Sequence, residues 1–384
     1  MPSSATRPSS LSARRLTADL RMWRHSGIGR YLRNIVPLLL PQLRCEHIRL
    51  IGRRELFGPA PWLDDSRIDF LEEPSSIYSV AEQTMGLRGR FADTSLLWVP
   101  HYNGPLRYGG KMIVTIHDIA PLALPEILGN AVKRFYARQL IERATSQASA
   151  LLCVSEFTRT ELRNRLNIPE AKLHVTPIGL DANWPTQAGP HREADGAPFL
   201  LFVGNVKPNK NIGLLLRAFR DVLDRVPFRL LLAGRMTGLG TADEAVLRDV
   251  QSFGDRVRLT GEVSDADLQG LYAGASALCM PSKYEGFGLP LLEAMALGCP
   301  VLCSTSGSLP EVAGDAALFF AADSPEELAA CLLRVSDGPT MQALRERGYQ
   351  RLQAFSFSRC ATQTAAVVNT LLEAHESSRP LPRS

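Results

Sequence analysis

No apolar run in the sequence is long enough to cross a membrane, although 45% of its 384 residues are hydrophobic. A membrane-spanning helix needs about 20 consecutive apolar residues, so we expect none. The first residues, M-P-S-S-A-T-R-P-S-S-L-S-A-R-R, contain no apolar segment, and we interpret them as a short disordered tail rather than a secretory signal. The composition, with 21% charged residues, is that of an ordinary globular protein.

Cysteine is scarce, and its spacing does not predict a metal site. There are seven cysteines, and no two of them form a Cys-x-x-Cys pair. Cys299 and Cys303 stand four positions apart, but Pro300 prevents them from sharing one face of a helix. Unpaired thiols scattered through apolar runs are typical of a reducing compartment, so we expect a cytoplasmic protein.

The sequence also lacks a complete dinucleotide-binding fingerprint. Gly27 and Gly29, in S-G-I-G-R-Y, supply the first two glycines, but Leu32 occupies the position of the third. This departure argues against a nicotinamide-dependent oxidoreductase. The two glycines can still let the start of a helix approach phosphate groups.

Charge is unevenly distributed along the chain. Residues 1–190 hold 24 Lys and Arg against 17 Asp and Glu, a net +7, whereas residues 191–384 hold 19 against 22, a net −3. Solvated helix faces explain this pattern, and so does a first domain that meets a phospholipid surface or a lipid-phosphate acceptor. The basic residues are not interleaved with aromatic ones as in a nucleic-acid-binding module, so we expect no nucleic acid.

Strand-like apolar runs alternate with amphipathic helix-like runs along the chain. This alternation predicts an α/β fold with two doubly wound, Rossmann-like domains and a ligand in the cleft between them. The predicted strands lie at 15–20, 47–52, 96–99, 111–116, 151–154 and 173–177, and at 199–203, 228–233, 257–259, 277–280, 301–304 and 317–320. The predicted segments are a first domain (15–181), a Pro- and Gly-rich linker (182–198), a second domain (199–355), a final helix (356–375) and disordered tails (1–14 and 376–384).

The segment 282–301, S-K-Y-E-G-F-G-L-P-L-L-E-A-M-A-L-G-C-P-V, carries the strongest chemical signal. Gly286 and Gly288 let a ligand approach the backbone, and the proline that follows suits the first turn of a helix, whose free N–H groups suit a diphosphate. Glu293 lies near that turn, and its carboxylate can accept from adjacent hydroxyls such as those of a ribose. Alternatively, Glu293 only complements the helix dipole and Glu285 is a turn residue.

The segment 284–301 resembles the signature of retaining GT-B glycosyltransferases of family 4, in which two glutamates bracket seven residues. Other pieces of the chain occur in the order and spacing of that family. They are S-G-I-G-R-Y at 26–31, T-I-H-D at 115–118, V-S-E-F-T at 154–158, V-G-N-V-K-P-N-K-N at 203–211, G-E-V-S-D-A-D-L-Q-G-L-Y at 261–272, A-L-C-M-P-S at 277–282 and S-L-P-E-V-A-G-D-A-A-L at 308–318. The resemblance implies a GT-B fold, with an acceptor-side domain, a nucleotide-sugar-binding domain and a final helix that crosses back to the first domain.

The resemblance also implies roles for individual residues. Glu293 would bind the ribose, Glu285 would contact the donor sugar, and His117 would face the reactive side of that sugar. The implied catalytic residues are His117, Glu285 and Lys210. The implied donor-binding residues are Gly27, Gly29, Asn205, Lys207, Lys210, Val263, Glu285, Gly286, Phe287, Gly288, Leu289 and Glu293, and His101 and Tyr102 are expected on the acceptor side.

One position departs from the family pattern. Members usually carry an arginine where this chain has Asn205, and that arginine grips the diphosphate together with the lysine matched by Lys210. Lys207 is a candidate replacement, although an ammonium lacks the bidentate geometry of a guanidinium. The alternative is that Lys207 is an ordinary solvated turn residue.

The resemblance implies a retaining hexosyltransferase that builds a surface polysaccharide or exopolysaccharide. The first half is similar to mannosyltransferase-like members, so we expect GDP-mannose, with UDP-hexose or dTDP-rhamnose as alternatives, and a lipid-linked or oligosaccharide acceptor. The pair D-A-D at 265–267 is interpreted as first-turn acids of a helix rather than a metal site, so we expect no cofactor and no metal. We expect a cytoplasmic enzyme, peripheral on the inner face of the membrane. A non-catalytic nucleotide-sugar-binding subunit is the other alternative, favoured by Asn205.

Overall fold

The computed structural model describes residues 14–376 except 26, 85–88, 106–107, 182, 194–195 and 236–243. The predicted tails therefore lie outside the described residues, apart from one residue of each. Arg14 donates its backbone N–H to the Glu46 carboxylate at 2.6 Å, and Glu376 is the last residue of the final helix.

Among the described residues, the first domain forms a seven-stranded parallel sheet in the order β3-β2-β1-β4-β5-β6-β7. Its strands are β1 (Arg15–Asp19), β2 (His47–Ile51), β3 (Ile68–Leu71), β4 (Leu96–Val99), β5 (Met112–Ile116), β6 (Ala150–Cys153) and β7 (Leu173–Val175). Its α-helices are α1 (Gly27–Leu39), α2 (Val80–Gln83), α3 (Ala120–Ala123), α4 (Ala131–Gln147) and α5 (Glu156–Leu166).

The described part of the second domain forms a six-stranded parallel sheet in the order β10-β9-β8-β11-β12-β13. The strands are β8 (Phe199–Val203), β9 (Arg229–Ala233), β10 (Val257–Gly261), β11 (Ala277–Met280), β12 (Val301–Ser304) and β13 (Ala317–Phe320). The helices are α6 (Ile212–Val222), α7 (Glu244–Ser252), α8 (Asp265–Gly274), α9 (Leu289–Ala296), α10 (Leu309–Ala313), α11 (Pro325–Arg334), α12 (Gly338–Leu352) and α13 (Phe357–Glu376).

Both sheets follow from the apolar strands that the sequence contains. Strands β6 and β11 are buried at every position, as expected for parallel strands covered by helices on both faces. The strand order reverses between β1 and β4 in one sheet and between β8 and β11 in the other, which creates a crevice at the carboxyl ends of the strands. The predicted fold class, two doubly wound Rossmann-like domains, is confirmed.

Strand β3 and helix α5 are among the elements of the first domain that were not predicted from the sequence. Strand β3 is an edge strand whose four residues are only partly buried, so its sequence, I-D-F-L, gives no continuous apolar run. Helix α5 is largely polar and buries only Thr158 and Leu162. It begins with Ser155, whose side chain accepts from the N–H of Thr158, so its start depends on capping more than on an apolar face.

The chain passes between the domains twice. In the predicted linker, Trp184 is buried, His191 donates its backbone N–H to the Gly270 carbonyl at 2.8 Å, and the Glu193 carboxylate pairs with Arg229 at 3.1 Å. The linker therefore packs specifically on the second domain, which its Pro- and Gly-rich composition did not predict. Helix α13 returns to the first domain and packs on α1 and β4. None of the described helices is both long and apolar enough to span a bilayer.

Candidate functional site

The loop that follows β11 brings Glu285 to the carboxyl edge of the second sheet. Gly288 ends this loop with φ +96°, a left-handed conformation that glycine adopts without strain, and α9 begins at the next residue. In the first turn of α9, the Leu291 N–H donates to the Gly288 carbonyl at 3.0 Å. The first N–H groups of a helix have no partner one turn earlier, so the donors of this turn are only partly used within α9. Phe287 is buried and packs edge-on against Phe355, with ring centroids 5.6 Å apart, so only its backbone can face a ligand.

Gly286 lies where the backbones of the two domains approach each other closely. A Cβ atom at this position would clash with the carbonyl oxygen of His117 in the first domain. The Gly286 carbonyl accepts hydrogen bonds from the hydroxyls of Ser155, at 2.7 Å, and Thr158, at 3.3 Å. A second contact supports it, because the Glu311 carboxylate accepts from the N–H groups at the start of α5 at 2.9 and 3.0 Å. The glutamate loop is thereby fixed against the first domain.

Lys210 and Glu285 form an ion pair in this cleft, with Nζ 2.6 Å from Oε1 and both side chains mostly buried. Asp118 of the first domain faces them, and its Oδ1 accepts from the N–H of Ala120 at 2.9 Å. Burial raises the pKa of Asp118, Glu285 raises it further, and Lys210 and Lys207 oppose the shift. Asp118 therefore belongs to the same charged cluster. It was missed as a site residue, although its place beside His117 at the end of β5 was a usable signal.

His117 is held as a neutral donor. Its Nε2–H donates to the carbonyl of Pro100 at 3.0 Å, and its ring meets the edge of Tyr31 at 4.9 Å between centroids. Burial lowers the pKa of His117 to about 4, and His25 contributes to the shift. Because the imidazole stays uncharged near neutral pH, its Nδ1 is left as an acceptor rather than a donor.

His101 and Tyr102, for which the resemblance implies a place on the acceptor side, lie side by side, and the His101 ring is near that of His117. The His101 ring lies 6.3 Å from that of His117 and 3.8 Å from that of Tyr102. Its Nε2 is 2.7 Å from the hydroxyl of Tyr78, whereas its buried Nδ1 has no hydrogen-bond partner among the described residues. Burial sets the pKa of His101 well below its usual range. Tyr78, which the sequence did not indicate, takes a left-handed backbone conformation with φ +66°.

Glu293 is buried behind this loop, and both of its oxygens are engaged. Oε1 accepts from Arg30 of the first domain, and Oε2 accepts from the hydroxyl of Tyr272 at 2.9 Å. Arg30 also bonds to Asp265 at 2.9 Å. Burial raises the pKa of Glu293, and Arg30 and Tyr272 lower it. A ribose would reach this carboxylate only after Arg30 moves aside, so the predicted role requires a rearrangement.

Two residues that contact Glu293 come from segments in which the sequence did not indicate a site residue at their positions. Arg30 lies in S-G-I-G-R-Y, where only the glycines were considered. Trp184 lies in the predicted linker and donates its indole N–H to the Glu293 carbonyl at 3.3 Å, while the Arg30 guanidinium lies 5.4 Å from the centre of its ring.

Asn205 lies two residues after β8 and fixes an arginine of the neighbouring loop. Its Oδ1 accepts from the backbone N–H of Arg235 at 3.2 Å, and the Arg235 guanidinium pairs with Glu262 at 2.9 Å in an exposed position. Across the cleft, burial lowers the pKa of His25, and Lys207 and Arg235 lower it further. Lys207 and Arg235 therefore lie near enough to His25 to affect its charge, with Arg235 itself paired to Glu262.

The remaining predicted donor residues differ in accessibility. Gly27 is exposed with open space around it, whereas Gly29 is buried against the backbone of Trp23, where a side chain would clash. Val263 and Leu289 are partly buried against the hydrophobic core. Gly27 is therefore free to approach a phosphate, while Gly29 serves the packing of α1.

The D-A-D sequence opens α8. Ser264 caps this helix, since its hydroxyl accepts from the N–H of Asp267 at 3.1 Å, and Asp265 pairs with Arg30. No group of three His, Cys, Asp or Glu in the described part of the chain is placed to hold a metal ion. All seven cysteines are buried and free.

Comparison with known proteins identifies the family. Residues 197–337 match the model described as Glycosyl transferases group 1, and residues 91–184 match that of Glycosyltransferase Family 4. The O-antigen chain mannosyltransferase B of Escherichia coli is 30% identical over 372 residues, which cover 88% of this chain and 94% of that protein. The chain belongs to the family 4 glycosyltransferases.

Solved structures agree with this family at the level of the fold. This glycosyltransferase matches sucrose-phosphate synthase from Thermosynechococcus elongatus with a TM-score of 0.73 and 19% identity over 94% of this chain and 100% of that one. It matches Alr3699/HepE of Anabaena, solved in complex with UDP and glucose, with a TM-score of 0.66 and 16% identity over 95% and 100% of the two chains. The GT-B architecture is therefore confirmed.

We predict that Arg30→Ala lowers the free energy of unfolding by about 3 kcal/mol, because it leaves the buried Glu293 carboxylate without its cation. Asp265→Ala removes only the exposed partner of Arg30 and should cost at most about 1 kcal/mol. Chemical denaturation followed by fluorescence measures both. Adding Glu293→Gln to Arg30→Ala should restore part of the loss, and equal effects of the two single variants would contradict the assignment.

We predict that acidification from about pH 6.5 to about pH 4 destabilises the protein partly through His117. The folded pKa lies below that of the unfolded chain, so the unfolded state binds the proton first, and the contribution present above about pH 6.5 is lost as pH falls. His117→Gln keeps an N–H donor for the Pro100 carbonyl and should flatten the fall of the denaturation midpoint. His47→Gln, at an exposed position, is the control, and equal slopes in wild type and His117→Gln would refute this origin.

Proposed function

We propose that the enzyme transfers mannose from GDP-mannose, with retention and without a metal, to a lipid-linked saccharide in the synthesis of O-antigen or a related surface polysaccharide. The observation that carries the proposal is the Lys210–Glu285 ion pair, whose glutamate lies on the glycine loop that meets His117 and Asp118 across the cleft. The name of the E. coli relative supports mannose and the O-antigen pathway. The UDP and glucose complex of the Anabaena protein keeps a UDP-hexose donor as the alternative.

The chemistry requires departure of a nucleoside diphosphate from the anomeric carbon. The C1–O bond breaks with its electron pair on the β-phosphate oxygen, and positive charge develops on the sugar. Lys210, Lys207 and the N–H groups at the start of α9 supply fixed positive potential for that leaving oxygen. When the donor arrives, Lys210 is positioned to exchange part of its contact with Glu285 for the phosphate, which frees Glu285 for sugar hydroxyls.

The acceptor hydroxyl then attacks the same face that the diphosphate leaves. The new bond forms between the acceptor oxygen and C1, and the acceptor proton goes to the departing phosphate oxygen, so no protein nucleophile is required. His117 and His101, both neutral, line the approach to this position and can bond to sugar hydroxyls without adding charge. The contact of Gly286 with His117 keeps the two halves of the site together while water is excluded.

The second candidate is a nucleotide-sugar-binding subunit without activity, which the loss of an arginine at Asn205 favours. Arg235 and Lys207 lie near that position and weaken this alternative. Measured turnover distinguishes the two functions directly.

We expect the purified protein with EDTA to transfer mannose from GDP-mannose to a soluble mannoside. Lys210→Ala should reduce kcat/KM about 100-fold or more, because it removes a cation that acts on the leaving group. Lys172→Ala, whose Nζ bonds to the Ser146 carbonyl in the first domain, is the matched control. Transfer only from a UDP-hexose would contradict GDP-mannose as the donor. Activity that is lost with EDTA and restored by a metal ion would overturn metal independence. No turnover with any donor would favour the binding subunit.

A further inference from the structure

A cavity opens at the carboxyl edge of the first sheet, apart from the residues assigned to the site above. We call it the β1–β3 cavity, because its walls come from the segments that follow these three strands (21–24, 52–56 and 73–77). Its volume is about 460 Å³, which is within the range of sites that bind small molecules. The carboxyl edge of a parallel sheet is also where doubly wound folds bind their ligands. The place and size of the cavity therefore suit a ligand.

Buried charges hold one wall of the cavity in position. Arg21, whose side chain is buried, pairs with Asp19 at 2.5 Å and with Glu82 at 2.6 Å. It also donates to the Ser75 carbonyl at 3.1 Å. The N–H of Ser75 donates to the buried Glu73 carboxylate at 2.9 Å. This wall is therefore fixed before a ligand arrives, which lowers the entropic cost of binding.

The polar groups of the lining indicate a ligand without net charge. Arg24 and Arg53 supply guanidinium donors, whereas Glu55 supplies a carboxylate acceptor. Ser75 and Ser76 add hydroxyls, which can both donate and accept. An anion would meet the Glu55 carboxylate as well as the arginines, so the lining does not favour it. A molecule that carries several hydroxyls can bond to donors and acceptors alike.

The apolar part of the lining narrows the choice to a saccharide. Leu56, Pro74 and Ile77 contribute hydrocarbon surface to the same cavity. A pyranose ring presents C–H faces between its hydroxyls, so it can cover this surface while its hydroxyls bond to the polar groups. Small-molecule sites commonly combine apolar walls with a few polar groups in this way.

Tyr78 connects the cavity to the acceptor side of the cleft. It directly follows Ile77 of the cavity wall, and its hydroxyl lies 2.7 Å from Nε2 of His101. Its N–H donates to the Glu82 carboxylate at 2.6 Å, and Glu82 pairs with Arg21 of the cavity. A single saccharide chain can therefore place one sugar beside His101 and its neighbouring sugars in the cavity.

We propose that the β1–β3 cavity binds the sugars that precede the reacting residue of the acceptor, so that the enzyme extends an oligosaccharide in preference to a single sugar. The statement that these sugars belong to an acceptor rests on the proposed function, whereas saccharide binding in the cavity does not. The cavity is thus a second saccharide site, distinct from the place of reaction beside His101 and His117.

The test compares kcat/KM for a soluble mannotrioside and for methyl mannoside, with GDP-mannose as donor. Wild type should favour the mannotrioside about tenfold or more, because several hydrogen bonds in the cavity each add a small stabilisation. Ser76→Trp places a large side chain on the exposed rim of the cavity, so this ratio should fall toward one. Ser66→Trp, at an exposed turn before the amino end of β3, is the matched control and should keep the wild-type ratio.

The arginines are tested in the same assay. Arg24→Ala/Arg53→Ala removes two donors and should lower the preference for the mannotrioside about fivefold or more. The matched control is Arg44→Ala/Arg163→Ala, which removes two exposed arginines from other parts of the first domain. All four arginines are exposed, so folding is expected to survive, and circular dichroism verifies it. A wild type without a preference for the mannotrioside, or an equal preference in wild type and the cavity variants, would overturn the proposal.

Calorimetric titration of mannotriose separates this inference from the proposed function. Wild type should bind mannotriose without any donor present, and Ser76→Trp should lose that binding. Such a result from a protein that turns over no donor would refute the proposed function and leave the saccharide site intact. Absence of mannotriose binding by wild type would overturn the site. Binding of inorganic phosphate instead, abolished in Arg24→Ala/Arg53→Ala, would make the cavity an anion site and overturn the proposal as well.

Discussion

The contact between the Gly286 loop and the end of β5 is the constraint on which the site depends. A glycine is needed there because any side chain would clash with the His117 carbonyl, and two hydroxyls from the first domain fix the Gly286 carbonyl. This single approach sets Glu285 and Lys210 opposite Asp118. Without it, each sheet would present half of a site to water, and the positive potential at the start of α9 would be screened.

The charges around this contact are arranged so that most are paired and the histidines are neutral. Burial keeps His101 and His117 uncharged, while Lys210 and Glu285 neutralise each other until a ligand competes for one of them. The Arg30–Glu293 pair also spans the two domains. Breaking a buried ion pair costs far more free energy than exchanging one of its members for another charged or hydrogen-bonding group. The hydroxyls and phosphates of a nucleotide-sugar donor can supply such groups, so donor binding is a suitable trigger for rearrangement of these pairs.

Local pattern was sufficient to predict the fold and the loop that carries Glu285. Apolar strands such as β8 and β11 needed no tertiary information, and the glycines and proline of 282–301 define a loop and a helix start by their backbone preferences alone. What could not be predicted depends on distant partners. Arg30 pairs with Glu293, which lies 263 positions further along the sequence. Trp184 was predicted to lie in a linker, whereas its indole N–H donates to a backbone carbonyl of α9. Single-sequence patterns carry no information about such pairings.

The central claim is that the cleft between the domains binds a nucleoside diphosphate sugar without a metal. The most direct test is calorimetric titration of GDP-mannose, UDP-glucose and dTDP-rhamnose into wild type and Gly286→Ala, with EDTA present. If the proposed function is right, wild type binds one donor, GDP-mannose, saturably, and Gly286→Ala loses that binding because the added Cβ drives the two halves of the site apart. Undiminished binding in Gly286→Ala, or no binding of any donor by wild type, would contradict the account.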